Sequence, residues 1–280
     1  MSIAGVLRRN RRIACCTAGW RGLFAHFAAL ALPGLCALCG NSCQRSCNNV
    51  CGNSPRNVLC SACDEAYWNE TRLRCVQCAL PLSAFRSRQA RRGGYRCAAC
   101  RHAPPPFDAT FALADYRPPL ASLVLDLKFR ARLALGALFA ERLACAVHDR
   151  PAMHGAAQAA AARPDLIAPV PLARRRLVER GYNQAWAIAR PLARALAVRA
   201  EPTLLVRTVH TAPQTRLDAA ARRANVAQAF AVTRDVSGLH VGLVDDVMTS
   251  GATLAALAVL LKQAGARRVT NYVALRTARD

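Results

Sequence analysis

The most regular hydrophobic pattern lies after residue 106, where short apolar runs alternate with longer segments of helical period. The apolar runs predict strands at residues 107–116, 165–170, 204–206, 240–244 and 269–275. The segments of helical period predict helices at residues 118–129, 133–148, 177–196, 218–227 and 252–264. Because strands and helices alternate, we predict an α/β fold in which helices flank a parallel sheet. Ligands of such sheets bind beyond the carboxyl ends of the strands.

In residues 34–106 the pattern changes, because large apolar residues are few and cysteines are frequent. Thirteen of the 14 cysteines precede residue 101. Three consecutive prolines, Pro104 to Pro106, predict an extended linker, since proline lacks a backbone donor and favours an extended chain. We therefore predict three parts: a lead-in segment at residues 1–33, a cysteine-rich module at 34–103 and the α/β domain at 107–280.

The lead-in segment places an arginine cluster before a fairly apolar stretch at residues 20–32, an order that resembles an export signal. Arg21 and His26 interrupt that stretch, and Pro33 ends it. We therefore interpret it as an amphipathic helix, with an export signal as the alternative. The chain has no apolar run of roughly 18 residues, so we expect no membrane span. The location that we expect is the cytoplasm.

The charge balance is strongly basic. The chain has 39 arginines and lysines against 16 aspartates and glutamates, which gives a formal net charge of +23. Only two of the basic residues are lysines, Lys128 and Lys262. A surface this positive favours polyanionic partners. Charge alone does not distinguish a phosphorylated small molecule from DNA or RNA, and the oligomeric state is left open.

Eight of the cysteines form four C-x-x-C pairs, and successive pairs are mostly about 20 residues apart. This spacing is typical of tetrahedral zinc sites, because each two-residue gap places both sulfurs on one side of a tight turn. Disulfides are the alternative, but they seldom persist in the cytosol. Sites with four thiolates have no open coordination position, so we predict two structural zinc ions. Sequential pairing predicts one site from Cys36, Cys39, Cys60 and Cys63 and a second from Cys75, Cys78, Cys97 and Cys100.

Three further cysteines, Cys43, Cys47 and Cys51, lie between the first two pairs. They are extra ligands, redox-active thiols or residues without a specific role, and we favour the last interpretation. Their position leaves the first zinc site less sharply defined than the second.

One segment, residues 241–253, places polar groups directly after a buried strand and reads VGLVDDVMTSGAT. Its hydroxyl- and glycine-rich loop opens the next helix, whose free N–H groups and positive dipole end favour a phosphate. Gly251 allows the backbone to approach such an anion closely, and the hydroxyls add donors. The predicted phosphate-binding residues are Thr249, Ser250, Gly251, Ala252 and Thr253.

Two carboxylates, Asp245 and Asp246, precede this loop. Beside a phosphate they would be repulsive unless they met hydroxyl groups or a cation, and the vicinal hydroxyls of a ribose satisfy them. The segment therefore predicts a ribose 5-phosphate site. The alternative is that the aspartates merely end a strand and that Thr249 caps a helix, but the full pattern favours the binding site.

The same segment resembles the 5-phosphoribosyl-1-pyrophosphate (PRPP) motif of type I phosphoribosyltransferases. The wider chain resembles the ComF family, in which a double zinc ribbon precedes such a domain, and the resemblance extends from Cys36 nearly to the C terminus. It includes PVPLARRRLVERGYNQA, which starts at Pro169. Two departures are mild, since Tyr182 replaces the usual Phe and Ser250 replaces a usual second Thr. A later spaced pattern also matches, at Arg207, Thr211, Gln214, Arg222, Asn225 and Phe230.

The resemblance implies a type I phosphoribosyltransferase fold with an N-terminal double zinc-ribbon module, and PRPP with Mg²⁺ as ligands. It implies that pyrophosphate binds the loop after Val170 and that a hood closes over the site. Asp245 and Asp246 are the candidate catalytic residues. The candidate pyrophosphate and hood residues are Arg174, Arg180, Arg207, Gln214, Arg222 and Asn225. For each arginine among them, the alternative is that it lies on a solvated helix face and binds no ligand.

The function that the resemblance implies is transfer of a phosphoribosyl group from PRPP to an unknown nitrogenous acceptor, with a link to DNA uptake in natural competence. Two alternatives stay open. One is a PRPP sensor without catalytic activity, since a fold does not imply an activity. The other is a protein that binds single-stranded nucleic acid, or acts with DNA-processing proteins, through its positive charge. Aromatic residues make up only 6% of the chain, which argues against extensive base stacking.

Overall fold

The strands of the α/β part form one main sheet. The computed structural model describes residues 34–43, 58–68, 73–82, 95–149, 163–208 and 229–278. The strands are β1 (Ala109–Asp115), β2 (Leu166–Pro169), β3 (Arg199–Ala200), β4 (Leu205–Arg207), β5 (Phe230–Val232), β6 (His240–Met248) and β7 (Arg268–Arg276). Five of them form a parallel sheet in the order β1-β7-β6-β2-β3, which places β6 at the centre. β4 and β5 form a separate antiparallel pair.

Helices precede and connect these strands. In the described part of the chain, two short helices belong to the cysteine-rich part, a third short helix has no buried residue, and the four longer helices pack against the sheet. Among the described residues, no helix combines the length and the apolar character that a membrane crossing requires. The helices are α1 (Ser61–Tyr67), α2 (Ala98–His102), α3 (Leu120–Phe129), α4 (Ala134–His148), α5 (Arg174–Arg180), α6 (Gln184–Ala195) and α7 (Ala252–Gln263).

The central strands are apolar on both faces because helices cover both faces. On one face, Ile167, Val244 and Tyr272 pack with residues of α3, α4 and α6. On the other face, Leu243 and Val273 pack with residues of α7. Successive strand residues point to opposite faces, so Leu243 and Val244 enter different clusters although they are adjacent. Strands of a parallel sheet therefore read as continuous apolar runs, as in this sequence.

The predicted single helix at residues 177–196 is wrong, because the structure divides this segment into α5 and α6. Gly181 ends α5 with a φ of 75°, a left-handed conformation that glycine adopts without the steric cost of a side chain. Asn183 then caps α6, where its Oδ1 accepts a hydrogen bond from the backbone N–H of Ala185 at 2.9 Å. The apolar residues keep a helical period across Gly181 and Asn183, so the sequence pattern did not reveal that two helices are present.

β6 is longer than the apolar run predicted. The strand expected at residues 240–244 continues through Asp245 and Asp246 to Met248. Its neighbour β7 is equally long and pairs with it in parallel register as far as Met248, so the ladder keeps the polar residues extended. The helix predicted at 218–227 and the lead-in segment at 1–33 lie outside the described residues.

The cysteine-rich part packs directly against the α/β part. Gln77 Nε2 donates a hydrogen bond to the carbonyl oxygen of Phe107 at 3.2 Å. Thr110 Oγ1, on β1, donates to the carbonyl oxygen of Gln77 at 2.7 Å. Arg74 forms an ion pair with Asp115 at 2.9 Å, and both side chains are nearly buried. The knuckle around Gln77 is therefore held at the edge of the main sheet.

Candidate functional site

The two acidic candidates lie in the carboxyl-terminal half of β6, the central strand. Asp246 is buried and Asp245 is partly exposed. Each carboxylate accepts a hydrogen bond from the next backbone N–H: Asp245 Oδ1 from Asp246 at 2.9 Å, and Asp246 Oδ1 from Val247 at 3.0 Å. These local bonds orient both carboxylates near the end of the strand, where ligands of parallel sheets bind.

Lys128 is a residue of this site that the sequence reasoning missed. It lies in the last turn of α3, and its Nζ is 2.8 Å from Oδ2 of Asp246. Protein atoms packed around the partly exposed Asp245 desolvate its carboxyl group, and this desolvation, together with the negative charge of Asp246, raises the pKa of Asp245 well above its usual range. Close carboxylates repel each other, so a cation or a set of hydroxyl donors at this position would stabilise their ionised forms.

The turn between β6 and α7 contains the residues of the predicted phosphate site. Gly251 has a φ of 80°, in the left-handed region, and caps α7. A Cβ at this position would lie 2.4 Å from Cε of Met248. Ser250 Oγ accepts a hydrogen bond from the N–H of Ala252 at 3.3 Å. Apart from the buried Gly251, the predicted phosphate-binding residues are all exposed, namely Thr249, Ser250, Ala252 and Thr253. The first N–H groups of α7 lack helical partners, so this exposed first turn is open to a ligand.

The guanidinium of Arg276, at the end of β7, holds the start of this turn. The side chain is only 1% exposed. Its Nη1 donates to the carbonyl oxygens of Met248, at 2.9 Å, and of Thr249. The backbone N–H of Thr277 donates to the same Met248 oxygen at 3.1 Å. Charge-assisted bonds from a buried guanidinium therefore fix the backbone of the turn before any ligand binds.

The GYN residues that follow α5 connect three elements. Asn183 Nδ2 donates to the carbonyl oxygen of Val170 at 3.0 Å, which ties the start of α6 to the end of β2. The hydroxyl of Tyr182 donates to the carbonyl oxygen of Leu127 in α3. A phenylalanine at position 182 would lack this bond. The segment thus anchors the predicted pyrophosphate loop after Val170 to its surroundings.

The predicted pyrophosphate and hood residues are partly described. Arg174 begins α5 and is exposed. Arg180 ends α5, and its guanidinium lies 5.1 Å from the ring centre of Phe129. Arg207 ends β4, in the separate antiparallel pair, with its guanidinium 5.6 Å from the ring centre of Phe230. The remaining three, Gln214, Arg222 and Asn225, lie outside the described residues.

The eight predicted zinc ligands form two clusters, with the sequential pairing that we predicted. Within each cluster all four sulfurs lie within 4.8 Å of one another. The sulfurs of Cys39 and Cys60 are 3.7 Å apart, and those of Cys78 and Cys97 are 3.6 Å apart. Sulfurs bound tetrahedrally at about 2.3 Å from Zn²⁺ are about 3.8 Å from one another, so both clusters fit a zinc ion. The clusters are Cys36, Cys39, Cys60 and Cys63, and Cys75, Cys78, Cys97 and Cys100.

The thiols of the cysteine-rich part differ in pKa. A hydrogen bond from Cys78 lowers the pKa of Cys75 to about 4, and the N–H of Cys97 also donates to the sulfur of Cys75 at 3.3 Å. Cys43 lies buried beside Cys36, and this burial raises its pKa to about 11. Cys43 does not belong to the four-sulfur cluster. Cys47 and Cys51 lie outside the described residues.

Comparison with known proteins identifies relatives that span most of the chain, although no family model matches it. The chain is 34% identical over 252 residues to the DNA utilization protein YhgH of Escherichia coli O6:H1, covering 89% of this chain and 99% of that protein. It is 30% identical over 217 residues to competence protein F of Haemophilus influenzae, covering 76% of this chain and 88% of that protein. The chain belongs to the ComF family.

Solved structures give weaker matches to this ComF protein. Glutamine PRPP amidotransferase from B. subtilis is 19% identical, with a TM-score of 0.32, over 51% of this chain and 26% of that chain. Purine phosphoribosyltransferase from Pyrococcus horikoshii is 17% identical, with a TM-score of 0.30, over 50% of this chain and 83% of that chain. Scores this low carry no argument about the site. The predicted fold class is confirmed by the ComF relatives, the parallel sheet between helices and the two four-cysteine clusters that precede it.

Proposed function

We propose that this ComF protein binds PRPP at the carboxyl end of β6. One observation carries the proposal: a continuous segment holds Asp245 and Asp246 near the end of β6 and then, past the left-handed Gly251, the exposed first turn of α7. The carboxylates accept hydrogen bonds from the ribose hydroxyls, and the N–H groups of the turn bind the 5′-phosphate. The segment thus offers a matching group for each end of a ribose 5-phosphate.

The reaction that we propose is phosphoribosyl transfer. The bond between C1 of the ribose and the pyrophosphate oxygen breaks, and pyrophosphate leaves with the bonding electrons. A lone pair on an acceptor nitrogen forms the new bond to C1, and the acceptor loses a proton to water. Mg²⁺ bound with PRPP would neutralise the charge that develops on pyrophosphate. Asp245 and Asp246 hold the ribose during this step, and Arg174, after the loop at Val170, adds positive charge near the leaving group.

The domain organisation belongs to the same proposal. Residues 34–103 form the double zinc ribbon and residues 107–280 form the phosphoribosyltransferase domain, with residues 1–33 as a separate lead-in. The two cysteine clusters fall within the first range and every strand of the main sheet falls within the second, which supports this division. We place the protein in the cytoplasm, because zinc thiolates need a compartment in which thiols stay reduced.

The process that we propose is the uptake or use of DNA. The support is the names of two relatives, a DNA utilization protein and a competence protein, and the net charge of +23. A chain this basic attracts a polyanion such as single-stranded DNA, and the attraction weakens as salt rises. Single-stranded DNA or a DNA-processing protein is therefore the proposed partner.

The decisive test of PRPP binding is calorimetric titration of the zinc-replete full chain with PRPP, with and without Mg²⁺. We expect saturable binding, weakened at least about tenfold in Asp245→Asn and in Asp246→Asn, because hydrogen bonds to a charged group contribute about 1.5–3 kcal/mol. Asp165→Asn is the matched control, since Asp165 lies at the opposite end of the sheet, bonded to the N–H of His240. Folded protein that does not bind PRPP would contradict the proposal.

A PRPP sensor without catalytic activity is the second candidate. The ion pair between Lys128 and Asp246 favours it, because a carboxylate paired with a lysine is a poor general base. Release of pyrophosphate separates the two candidates. PRPP-dependent release that decreases in Asp245→Asn supports the enzyme, whereas saturable PRPP binding without release, across a panel of nitrogenous bases, supports the sensor.

A further inference from the structure

A cavity lies beside the acid pair, between the end of α3 and helix α5. Its volume is about 630 Å³, a size common among small-molecule sites. Lys128 belongs to both the cavity and the acid pair, since it lines the cavity and its Nζ lies 2.8 Å from Oδ2 of Asp246. The cavity and the proposed ribose site are therefore neighbours. Its lining includes Lys128, Phe129, Arg176, Glu179, Arg180 and Tyr182.

Phe129 offers an aromatic surface in this cavity. The side chain is 68% exposed, so its ring is accessible to a ligand. The guanidinium of Arg180 lies 5.1 Å from the ring centre, and a hydrogen bond of 2.9 Å to Oε1 of Gln184 holds it there. A flat guanidinium and an exposed phenyl ring together form a stacking surface for a flat heteroaromatic ligand.

The charge of the cavity favours an anion. Arg176 and Arg180 contribute two cationic groups to its lining, whereas the charge of Lys128, which also lines it, is offset by the ion pair with Asp246. The acidic Glu179 also lines it, but its Oε1 accepts a hydrogen bond from Nε of Arg175 at 2.8 Å, which offsets its charge. Arginine side chains bind carboxylates and phosphates through paired N–H groups. A ligand that fits both features carries a flat ring and a negative group.

The two walls of the cavity are joined in the protein without a ligand. The hydroxyl of Tyr182, from the turn between α5 and α6, donates to the carbonyl oxygen of Leu127 in α3. Leu127 is fully buried, so this bond anchors the exposed end of α3 to the core. Phe129 closely follows Leu127 in the chain, and Arg180 closely precedes Tyr182. The position of Phe129 relative to Arg180 is therefore preformed.

We propose that this cavity binds the acceptor of the phosphoribosyl transfer, and that the acceptor is a flat heteroaromatic ring bearing a phosphate or a carboxylate. The reaction rests on the function proposed above, whereas the binding itself does not need PRPP. A ring stacked on Phe129 and Arg180 lies next to Lys128, and so next to a ribose held by Asp246. A nucleotide and an aromatic acid both have this chemistry.

The first experiment is calorimetric titration of the full zinc-replete chain with thymidine 5′-monophosphate and with orotate. Thymidine, uracil and inorganic phosphate are the controls that lack either the charge or the ring. We expect saturable binding of at least one anionic ring and of none of the controls. Binding of thymidine 5′-monophosphate alone identifies a nucleotide, and binding of orotate alone identifies an aromatic acid. Equal binding of thymidine or of phosphate would overturn the proposed selectivity.

The second experiment compares matched variants. Phe129→Ala and Arg176→Gln should each weaken binding of the anionic ring by about tenfold, through loss of stacking and of a charge-assisted contact. Leu133→Ala is the control for Phe129→Ala, because it removes an exposed apolar side chain outside the cavity lining. Arg190→Gln is the control for Arg176→Gln, because it removes an exposed charge outside that lining, and both controls should leave binding unchanged. Equal losses in all four variants would overturn the assignment of the site.

Titration of the same variants with PRPP separates this inference from the proposed function. PRPP affinity should be the same in Phe129→Ala as in the unmodified chain. A loss of PRPP affinity in that variant would place the cavity within the PRPP site and overturn the acceptor assignment. If PRPP binds and no anionic ring binds, the inference alone fails. If the anionic ring binds and PRPP does not, the proposed function fails, and the cavity stands only as a binding site for an aromatic anion.

Discussion

Nε of Arg276 donates a hydrogen bond to the backbone carbonyl oxygen of Cys78 across 3.0 Å. Cys78 belongs to the second four-cysteine cluster, and Arg276 ends β7 in the main sheet. The same guanidinium donates through Nη1 to the carbonyl oxygens of Met248 and Thr249. One buried side chain therefore connects a predicted zinc knuckle to the turn that we propose binds the 5′-phosphate of PRPP.

Replacement of Arg276 by methionine should destabilise the fold strongly. Arg276→Met leaves the buried carbonyl oxygens of Cys78 and Met248 without this donor, so we expect the free energy of unfolding to fall by about 3 kcal/mol. Urea unfolding at neutral pH measures the change. Arg267→Gln is the control, because its ion pair with Asp165 is largely exposed and should contribute less than about 1 kcal/mol. Similar losses in the two variants would contradict the connecting role of Arg276.

The two cysteine clusters should each hold one zinc ion, independently of Cys43. Metal analysis of the purified full chain should find about one zinc ion fewer per chain in Cys78→Ser than in the unmodified protein, because a tetrahedral site needs all four thiolates. Cys43→Ser should retain the full zinc content, since Cys43 is outside the four-sulfur cluster. A drop in zinc content in Cys43→Ser would show instead that Cys43 is a ligand.

Features whose determinants are close together in the chain could be predicted from the sequence. The C-x-x-C pairs set the geometry of each knuckle within four residues, and the structure shows the predicted sequential pairing. The segment at residues 241–253 contains the strand, the two aspartates and the glycine turn, so its strand–turn–helix order could also be predicted. The expected phosphate and ribose contacts of this segment stay predictions.

Features that depend on packing between distant segments could not be predicted. Lys128 lies in the last turn of a helix, where a lysine is ordinarily solvated and interacts with the helix dipole. Its contact with Asp246 depends on how α3 packs against the sheet, which no local pattern encodes. The same holds for Arg276, whose acceptors lie in two separate parts of the chain. The break at Gly181 was local, but the continuing helical period outweighed the signal of a single glycine.

Gly251 tests whether the backbone of the turn matters for PRPP. Gly251→Ala should cost about 1–2 kcal/mol of stability, because alanine is strained at a φ of 80°. It should also displace Met248, whose Cε would lie 2.4 Å from the new Cβ. A turn moved in this way should bind PRPP at least about tenfold more weakly, as calorimetry would measure.

Gly238→Ala is the matched control for this variant. Gly238 has a similar φ of 71°, but a Cβ there would meet nothing within 4 Å. We therefore expect a similar loss of stability without any change in PRPP affinity. Unchanged PRPP affinity in Gly251→Ala as well would contradict the assignment of this turn to the phosphate.

His240, at the start of β6, is a buried base in its neutral form. Its Nδ1 lies 3.0 Å from the carbonyl oxygen of Arg163, to which it donates, and its Nε2 lies 2.8 Å from Oγ1 of Thr270, from which it accepts. Burial, assisted by the positive charge of Arg268, lowers the pKa of His240 to about 4. Protonation in the folded state would place a second donor against Thr270 and a charge in the core.

This low pKa makes stability depend on pH in a defined window. An unfolded histidine takes up a proton near its ordinary pKa of about 6.5, whereas His240 in the folded protein does so only near pH 4. The unfolded state therefore binds more protons between these values, so the free energy of unfolding should fall by up to about 3 kcal/mol as pH falls from 6.5 to 4. Urea unfolding at pH 7 and pH 4.5 measures how much the free energy of unfolding falls between the two values, and this fall should be smaller in His240→Gln than in the unmodified chain. His102→Gln is the control and should show the full fall, because His102 is exposed. The same loss in His240→Gln would mean that other groups cause the acid sensitivity.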